Sequence, residues 1–308
     1  EALAYRDLVV SMYRDAELGR SRAETTHEAS LDTVRRQHDD AVDTVESLSR
    51  SVKWRDAKTQ PTSVQPPKPS EPSRVQLAAG RTTSREFDRG AHAYIEELAL
   101  VAEIVNTADV RGGVMIDVGA HHGSSFRRFL DSGWTVYAFE PDERHAAYLD
   151  ERFLHHDRLT LDRRAVASVT ADQRTFYTSE ESAGISGLSA FRQSHRAVGS
   201  VETVALRDVP GIERCDLLKI DTEGYAMEVL GGVDWAALRP SVIVAEFEDS
   251  KSVLLGHNAQ DLISTLEKRG YEVWVSEWHP IVRYGIQHDW RRIYRADVDK
   301  PPADSWGN

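Results

Sequence analysis

A single cysteine, Cys215, is the only thiol in the 308 residues of the chain. One thiol makes no internal disulfide and falls far short of a thiolate zinc site, so a reducing, cytoplasmic setting is the expectation. Positive charge is also scarce. There are 38 Lys and Arg against 50 Asp and Glu, a formal net charge of -12. Gripping a phosphate backbone takes concentrated basic charge, so a nucleic-acid partner, RNA included, is disfavoured. The pairs Arg127–Arg128, Arg163–Arg164 and Arg291–Arg292 read as solvated surface. No run approaches the ~18 apolar residues of a membrane span, and no charged-then-apolar leader suggests secretion. The chain starts at Glu1, as a processed or excised piece would, which leaves a lost leader or upstream domain open.

Residues 1–56 have no proline and no glycine cluster and are rich in Glu, Asp, Arg and Ala, so they read as helix. Leu31, Val34, His38, Ala41, Val45, Leu48 and Val52 are spaced alternately three and four apart. This seam of about three heptads points to a short coiled coil or helical hairpin that serves a homo-oligomer or a partner through residues 31–52. An amphipathic helix packed on the main domain is the alternative. In residues 57–84, Pro61, Pro66, Pro67, Pro69 and Pro72 stand among Ser, Thr, Gln and Lys, which marks a semi-extended linker. A catalytic domain over residues 85–300 and a tail over 301–308 complete the expected organisation.

From residue 86 apolar strands alternate with amphipathic helices. Ala91–Val105, Ser124–Leu130, Glu143–Phe153, a helix beginning at Ala226–Leu230 and Ala259–Lys268 read as helices. Val114–Val118, Thr135–Phe139, Leu159–Ala167, Gln173–Tyr177, Ser200–Leu206, Leu217–Ile220, Ser241–Phe247, Tyr271–Glu277 and Trp290–Arg295 read as strands. That order implies an α/β fold with a mostly parallel sheet covered by helices on both faces. Thr178–Ser194, rich in Ser, Gly and Glu, reads as a long loop that is either a lid or a surface connection. His195 and Arg196 at its end face substrate or water. Trp274, Trp278 and Trp290 fit core packing better than sugar stacking.

The strongest local signal is Met115-Ile-Asp-Val-Gly-Ala-His-His-Gly-Ser-Ser125, in which a strand runs into a glycine turn and then a helix start. Such a turn brings backbone close to a ligand, and the helix N-terminus offers free N–H groups. Asp117 stands at the strand end. The second strand ends at Glu140, where a carboxylate meets ribose hydroxyls in a doubly wound fold. A dinucleotide would want a glycine where His121 stands, and its diphosphate would face Asp117. A cofactor with an amino-acid tail, a sulfonium and no phosphate suits the acidic rim better, and S-adenosylmethionine fits. The plain alternative is a tight turn with two solvent-facing acids.

Asp221 and Glu223 follow another buried strand, in Leu217-Leu-Lys-Ile-Asp-Thr-Glu-Gly-Tyr-Ala-Met-Glu228. Ligands in open α/β sheets bind beyond the carboxyl ends of the strands, so Asp221 is expected to share a crevice with Asp117. A carboxylate there orients or deprotonates a hydroxyl, or holds a metal that does so. In the structural alternative Glu223 caps the next helix and Asp221 closes a turn.

Asp117-Val-Gly-Ala-His-His-Gly123, Phe139-Glu-Pro-Asp142 and Asp216-Leu-Leu-Lys-Ile-Asp-Thr-Glu-Gly-Tyr225, followed by Val229-Leu-Gly-Gly232 and Val244-Ala-Glu-Phe247, together resemble the FkbM-type methyltransferases. The resemblance covers roughly residues 88–296. It implies a class I methyltransferase (Rossmann-like) fold, a seven-stranded sheet whose last strand runs antiparallel between two neighbours. It also implies S-adenosylmethionine as methyl donor and a hydroxyl of a sugar, glycolipid or natural product as acceptor. By position, Asp117, Gly119, Ala120, His121 and Gly123 would line the methionine moiety, Glu140 would hold the ribose, and Arg164–Ala165 would border the adenine. Asp221 and Glu223 would face the methyl and the acceptor. Where the family has asparagine and an apolar residue, this chain has His121 and His122. A titrating His121 predicts cofactor affinity that weakens near pH ~6.

Asp221 is the first choice of base and Glu223 the second. No metal is expected, although Asp221, Glu223 and Glu246 are the oxygen set that magnesium would use. Three other readings stand beside this one. They are N-methylation of an amine, a catalytically silent adapter assembled through the helical arm, and a nicotinamide-dependent oxidoreductase.

Overall fold

The computed structural model describes residues 96–107, 112–179, 185–281, 288–303 and 306–308. The helical arm of residues 1–56 with its seam at 31–52, the linker 57–84 and the start of the helix expected at Ala91–Val105 lie outside the described residues. In chain order come α1 (Glu97–Thr107), β1 (Val114–Val118), α2 (Ser124–Asp131), β2 (Thr135–Phe139), α3 (Glu143–Phe153) and β3 (Leu159–Asp162). Next are β4 (Ala165–Val166), β5 (Gln173–Ser179), β6 (His195–Val204), β7 (Leu217–Ile220), α4 (Ala226–Gly231) and β8 (Val242–Ala245). The chain continues through β9 (Phe247–Glu248), α5 (Asp249–Ser252), α6 (Ala259–Glu267), β10 (Trp274–Trp278), β11 (Trp290–Arg295) and β12 (Trp306–Gly307).

β3, β2, β1, β7 and β8 form, in that order, a five-stranded sheet in which every pairing is parallel. The chain moves outward from β1 to β3 and then returns on the other side of β1 to lay down β7. Strand order therefore reverses between β1 and β7, which leaves a crevice beyond their carboxyl ends. Alternate residues face opposite ways. Ile116, Val118, Leu218 and Ile220 pack against Val229, Leu230, Leu262 and Ile263. Met115, Val136, Ala138 and Leu217 pack against Val101, Phe126, Phe129 and Leu149. Apolar spacing places each helix. α2 buries Phe126, Phe129 and Leu130, and α6 opens with a capping box between Asn258 and Asp261.

The seven-stranded sheet implied by the resemblance is not what these residues form. β11, β10, β12 and β9 make a second, four-stranded sheet, and β4, β6 and β5 a third. The expected strand Ser241–Phe247 divides at Glu246, because β8 pairs with β7 while β9 turns to pair with β12. Leu159–Ala167 divides too, where the Asp162 carboxylate accepts the Arg164 backbone N–H at 2.9 Å and turns the chain. β6 starts at His195 rather than Ser200, and its first residues are largely exposed, so they lacked an apolar signal. The expected tail contains β12, which lies antiparallel between β9 and β10. Arg291 and Arg292 are not free surface charges either. Both bond to Glu277, whose side chain is completely buried. No helix among the described residues is long and apolar enough to cross a membrane.

Gly119 ends β1 at φ 81°. A Cβ there would lie 1.9 Å from the backbone carbonyl oxygen of Asp221. The tips of β1 and β7 thus approach as closely as they do because position 119 has no side chain. Gly119→Ala is expected to lower stability by about 2–5 kcal/mol, combining left-handed strain with overpacking. Urea unfolding measures this, and a loss below about 1 kcal/mol would mean that the two tips are free to part.

Candidate active site

Asp117 of β1 and Lys219 of β7 are partners in register, so their side chains leave the same face of the sheet side by side. The Lys219 ammonium donates to the Gly119 carbonyl oxygen at 2.7 Å and lies 3.1 Å from Asp117 Oδ1 and 3.4 Å from Asp221 Oδ2. Burial opposes its charge, but Asp117 and Asp221 outweigh burial and hold the ammonium protonated, above the ordinary lysine value. The Ser125 hydroxyl donates to the other oxygen of Asp117. Asp117 is completely buried as a result and is not among the residues that line the crevice. The direct contact expected for it is replaced by a supporting one. Asp117 anchors Lys219, and Lys219 anchors Asp221.

The crevice is a cavity of about 620 Å³ whose lining includes Gly119, Ala120, His121, Glu140, Ala165 and Asp221. Gly123 is absent from that lining. It precedes α2 at φ 78°, and a Cβ there would meet the Phe126 ring at 2.7 Å, so its role is to seat the helix. Glu140 ends β2 with both carboxylate oxygens occupied. One accepts the His121 backbone N–H at 2.7 Å and the other the Asp142 N–H at 2.8 Å. Burial nonetheless raises its pKa from 4.5 to about 7. His121 sits in the left-handed region at φ 48°. Burial, followed by the neighbouring His145 and His122, lowers its pKa to about 4. The titration expected for His121 near pH 6 is therefore displaced, and Glu140 is the group that titrates near neutrality on this wall.

At the tip of β7, Asp221 keeps 48% of its side chain exposed. Burial would raise its pKa, yet Lys219, Lys251 and a hydrogen bond with Glu246 together lower it, so Asp221 is ionised at neutral pH. Carboxylate oxygens of Asp221, Glu223 and Glu246 lie within 4.8 Å of one another. The Lys251 ammonium stands among these acids. It pairs with Glu223, with Glu246 at 3.3 Å and with Glu248 at 2.7 Å. A resident magnesium does not fit there, because the cluster already holds its own cation. Burial raises Glu223 to about 7 despite Lys251 and raises Glu246 well above its usual range. Glu223 lies at φ 54°, and α4 has no side-chain cap, so Glu223 does not cap that helix.

Segment 178–194 divides into parts. β5 runs to Ser179, Tyr177 bridges to Gly187, and Ile185, Ser186, Gly187 and Leu188 line the crevice. His195 is buried behind them rather than facing substrate. Its Nδ1 accepts the Arg192 N–H at 3.0 Å, so Nε2 carries the proton and donates to the Ile185 carbonyl at 2.8 Å. Arg196 bonds to the Gln193 and His195 carbonyls. Lys219, Lys251, Tyr225 and Trp306 also line the cavity and were not picked out from sequence. A lysine inside the buried strand Leu217–Ile220 was a usable sign, whereas Lys251 sits in polar Asp249–Ser252, which reads as surface.

Among the described residues of the lining, the only basic side chains besides histidine are Lys219 and Lys251, and carboxylates hold both. Val118, Val166 and Ile185 supply an apolar wall. An acidic rim, a buried carboxylate at the second strand tip and, among the described residues, no cation without a carboxylate partner suit an adenosyl group that carries a sulfonium. A second cavity of about 690 Å³, walled by Leu100, Ile104, Val244, Leu262 and Leu266, contains none of these acids.

The methyltransferase FkbM domain matches residues 117–273, just over half of the chain. The chain belongs to the FkbM methyltransferase family. It is accordingly an S-adenosylmethionine-dependent methyltransferase. Among curated relatives, the 2-O-methyltransferase NoeI of Sinorhizobium fredii (strain NBRC 101917 / NGR234) is 28% identical over 186 residues, which cover 54% of this chain and 76% of that protein. Solved structures show only low likeness. Precorrin-6y C5,15-methyltransferase from Geobacter metallireducens GS-15 is 15% identical with a TM-score of 0.32, covering 68% of this chain and 95% of that one. A TehB-like SAM-dependent methyltransferase from Corynebacterium glutamicum ATCC 13032 Kitasato is 13% identical with a TM-score of 0.32, covering 63% and 86%. The matched FkbM segment holds both strand tips and the carboxylate cluster beyond β7.

Glu140 in this methyltransferase has a folded pKa of about 7, above its ordinary 4.5. The folded state therefore retains a proton that the unfolded chain releases, and the associated stability is complete below pH 4.5 and lost as pH rises through 7. Replacing Glu140 with Gln should flatten this fall by about 3 kcal/mol, read from urea unfolding across that window. Parallel curves for the two proteins would contradict the assignment.

Proposed function

We propose that the enzyme methylates a hydroxyl oxygen of a sugar, glycolipid or similar polyhydroxylated small molecule, with Asp221 receiving that hydroxyl. The observation that carries this reading is the position of Asp221. It is a half-exposed, ionised carboxylate at the strand-order reversal, fixed from below by Lys219. NoeI, a 2-O-methyltransferase, supports oxygen as the acceptor atom.

Bound S-adenosylmethionine supplies a methyl group activated by its sulfonium. Glu140 would accept the ribose hydroxyls, while Gly119, Ala120 and His121 shape the wall beside the amino-acid tail, and Ala165 borders the adenine. An alcohol is a weak nucleophile at neutral pH, and its proton has to leave as the new C–O bond forms. Asp221 accepts that hydrogen bond and fixes the direction of the oxygen lone pair. Glu223, within 4.8 Å of Asp221 and raised to about 7, is better matched as the final proton acceptor at neutral pH. Lys251 stabilises the cluster whether or not it holds that proton. Ile185–Leu188 would help to exclude water from the transfer.

Asp221→Asn is expected to lower kcat by about 10²–10⁴-fold while affinity for S-adenosylhomocysteine stays within about threefold. Calorimetry with S-adenosylhomocysteine measures the second quantity, and methyl transfer to a panel of sugars measures the first. Failure of the wild-type protein to bind S-adenosylhomocysteine at saturating concentration would overturn the cofactor site. Unchanged turnover in Asp221→Asn would overturn the role of Asp221 alone.

A further inference from the structure

Three histidines meet at the β1–α2 turn, where His121 and His145 also line the crevice. His121 and His122 belong to the turn itself, and His145 comes from the first part of α3. The His121 ring centroid lies 3.9 Å from that of His122 and 4.1 Å from that of His145, and the His122 and His145 centroids are 4.8 Å apart. The rings are inclined by 54° to 75°, so the three stand edge to face instead of stacking flat. One ring nitrogen from each lies within 4.8 Å of the others. His121 Nε2 is buried and has no hydrogen-bond partner. A buried imidazole nitrogen without a partner costs free energy in any purely packed arrangement, whereas a Lewis acid would satisfy it.

We propose that His121, His122 and His145 form a binding site for a borderline divalent transition-metal ion of the Zn²⁺ type. Three imidazoles with one open position are a donor set suited to such an ion and unsuited to magnesium or calcium, which take oxygen. Bonds of about 2.0–2.1 Å require the nitrogens to stand roughly 3.3 Å apart, so the cluster has to close by about 1.5 Å. His122 is exposed and His121 half-buried, so these are the two rings that would have to rotate for the closure. Glu140 Oε1 lies 3.9 Å from His145 Nδ1, beyond hydrogen-bond reach, and would have to come closer to serve as the outer carboxylate that commonly orients a metal-bound histidine. Nothing in this site draws on the Lys251 cluster, which lies beyond β7.

The test uses the full chain stripped of metal by chelation and titrated with Co²⁺, whose visible absorption reports nitrogen coordination. The expected result is a saturable band at one equivalent that Zn²⁺ abolishes by displacement. His122→Ala and His145→Asn should each weaken Co²⁺ binding by about 100-fold or more. His155→Ala, an exposed histidine on the loop after α3, and Glu246→Gln should leave it unchanged. Because His122 is exposed, the unfolding temperature of His122→Ala without metal should match that of the wild type. Absence of a Co²⁺ band at saturation would overturn the proposal. So would wild-type affinity in a folded His122→Ala, or loss of binding in Glu246→Gln.

Discussion

One buried ammonium holds the catalytic end of the sheet together. Lys219 lies on the central pair of strands and meets three oxygens: Asp117 Oδ1, the Gly119 carbonyl and Asp221 Oδ2. Two come from the tip of β1 and one from the tip of β7. An ammonium removed from water is tolerated only when nearby acceptors replace its hydration, and here the replacement also ties two strands across the point where chain order reverses. Without the cation, the completely buried carboxylate of Asp117 would stand uncompensated. Asp221 would lose the contact that fixes it toward the crevice. The packing of the two strand tips and the placement of Asp221 therefore rest on the same charge.

Backbone strain collects at the same two tips. His121 and Glu223 are, with Ala171, the described non-glycine residues at positive φ, and they follow β1 and β7 respectively. Such conformations cost about 1–3 kcal/mol each and persist where surrounding contacts over-determine them. For His121 the fixing contact is its N–H bond to Glu140, and for Glu223 it is Lys251. In both cases the contact that fixes the strained residue involves another group lining the cavity. The strain aims a side chain into the crevice that an ordinary strand-to-helix turn would direct elsewhere.

Much of this was legible in the chain itself. The apolar run Val114–Val118 followed by Gly119 and Gly123 predicts a strand, a turn and a helix, and the structure has them. Glu140 and Asp221 were expected at strand tips because each directly follows an apolar run, and both line the same crevice. Asp117 misled because a strand end suggests exposure, whereas its register partner is a lysine, and pairing across parallel strands is invisible from one segment alone. His121 misled because its pKa depends on His145, which is distant in sequence but close in space. Lys251 gave no sign, since a polar helical turn looks the same whether it faces water or three acids. β12 escaped because two residues carry no periodicity, and its strand character comes entirely from β9 and β10 on either side.

The Lys251 cluster also sets where charge resides at the tip of β7. Glu223 and Glu246 both hold protons more readily than free carboxylates do, while Asp221 beside them does not. Negative charge in the cluster is therefore concentrated on Asp221, the acid that keeps 48% of its side chain exposed. Protons held on Glu223 and Glu246 let three acids surround one ammonium at the tip of β7 without stacking three negative charges there.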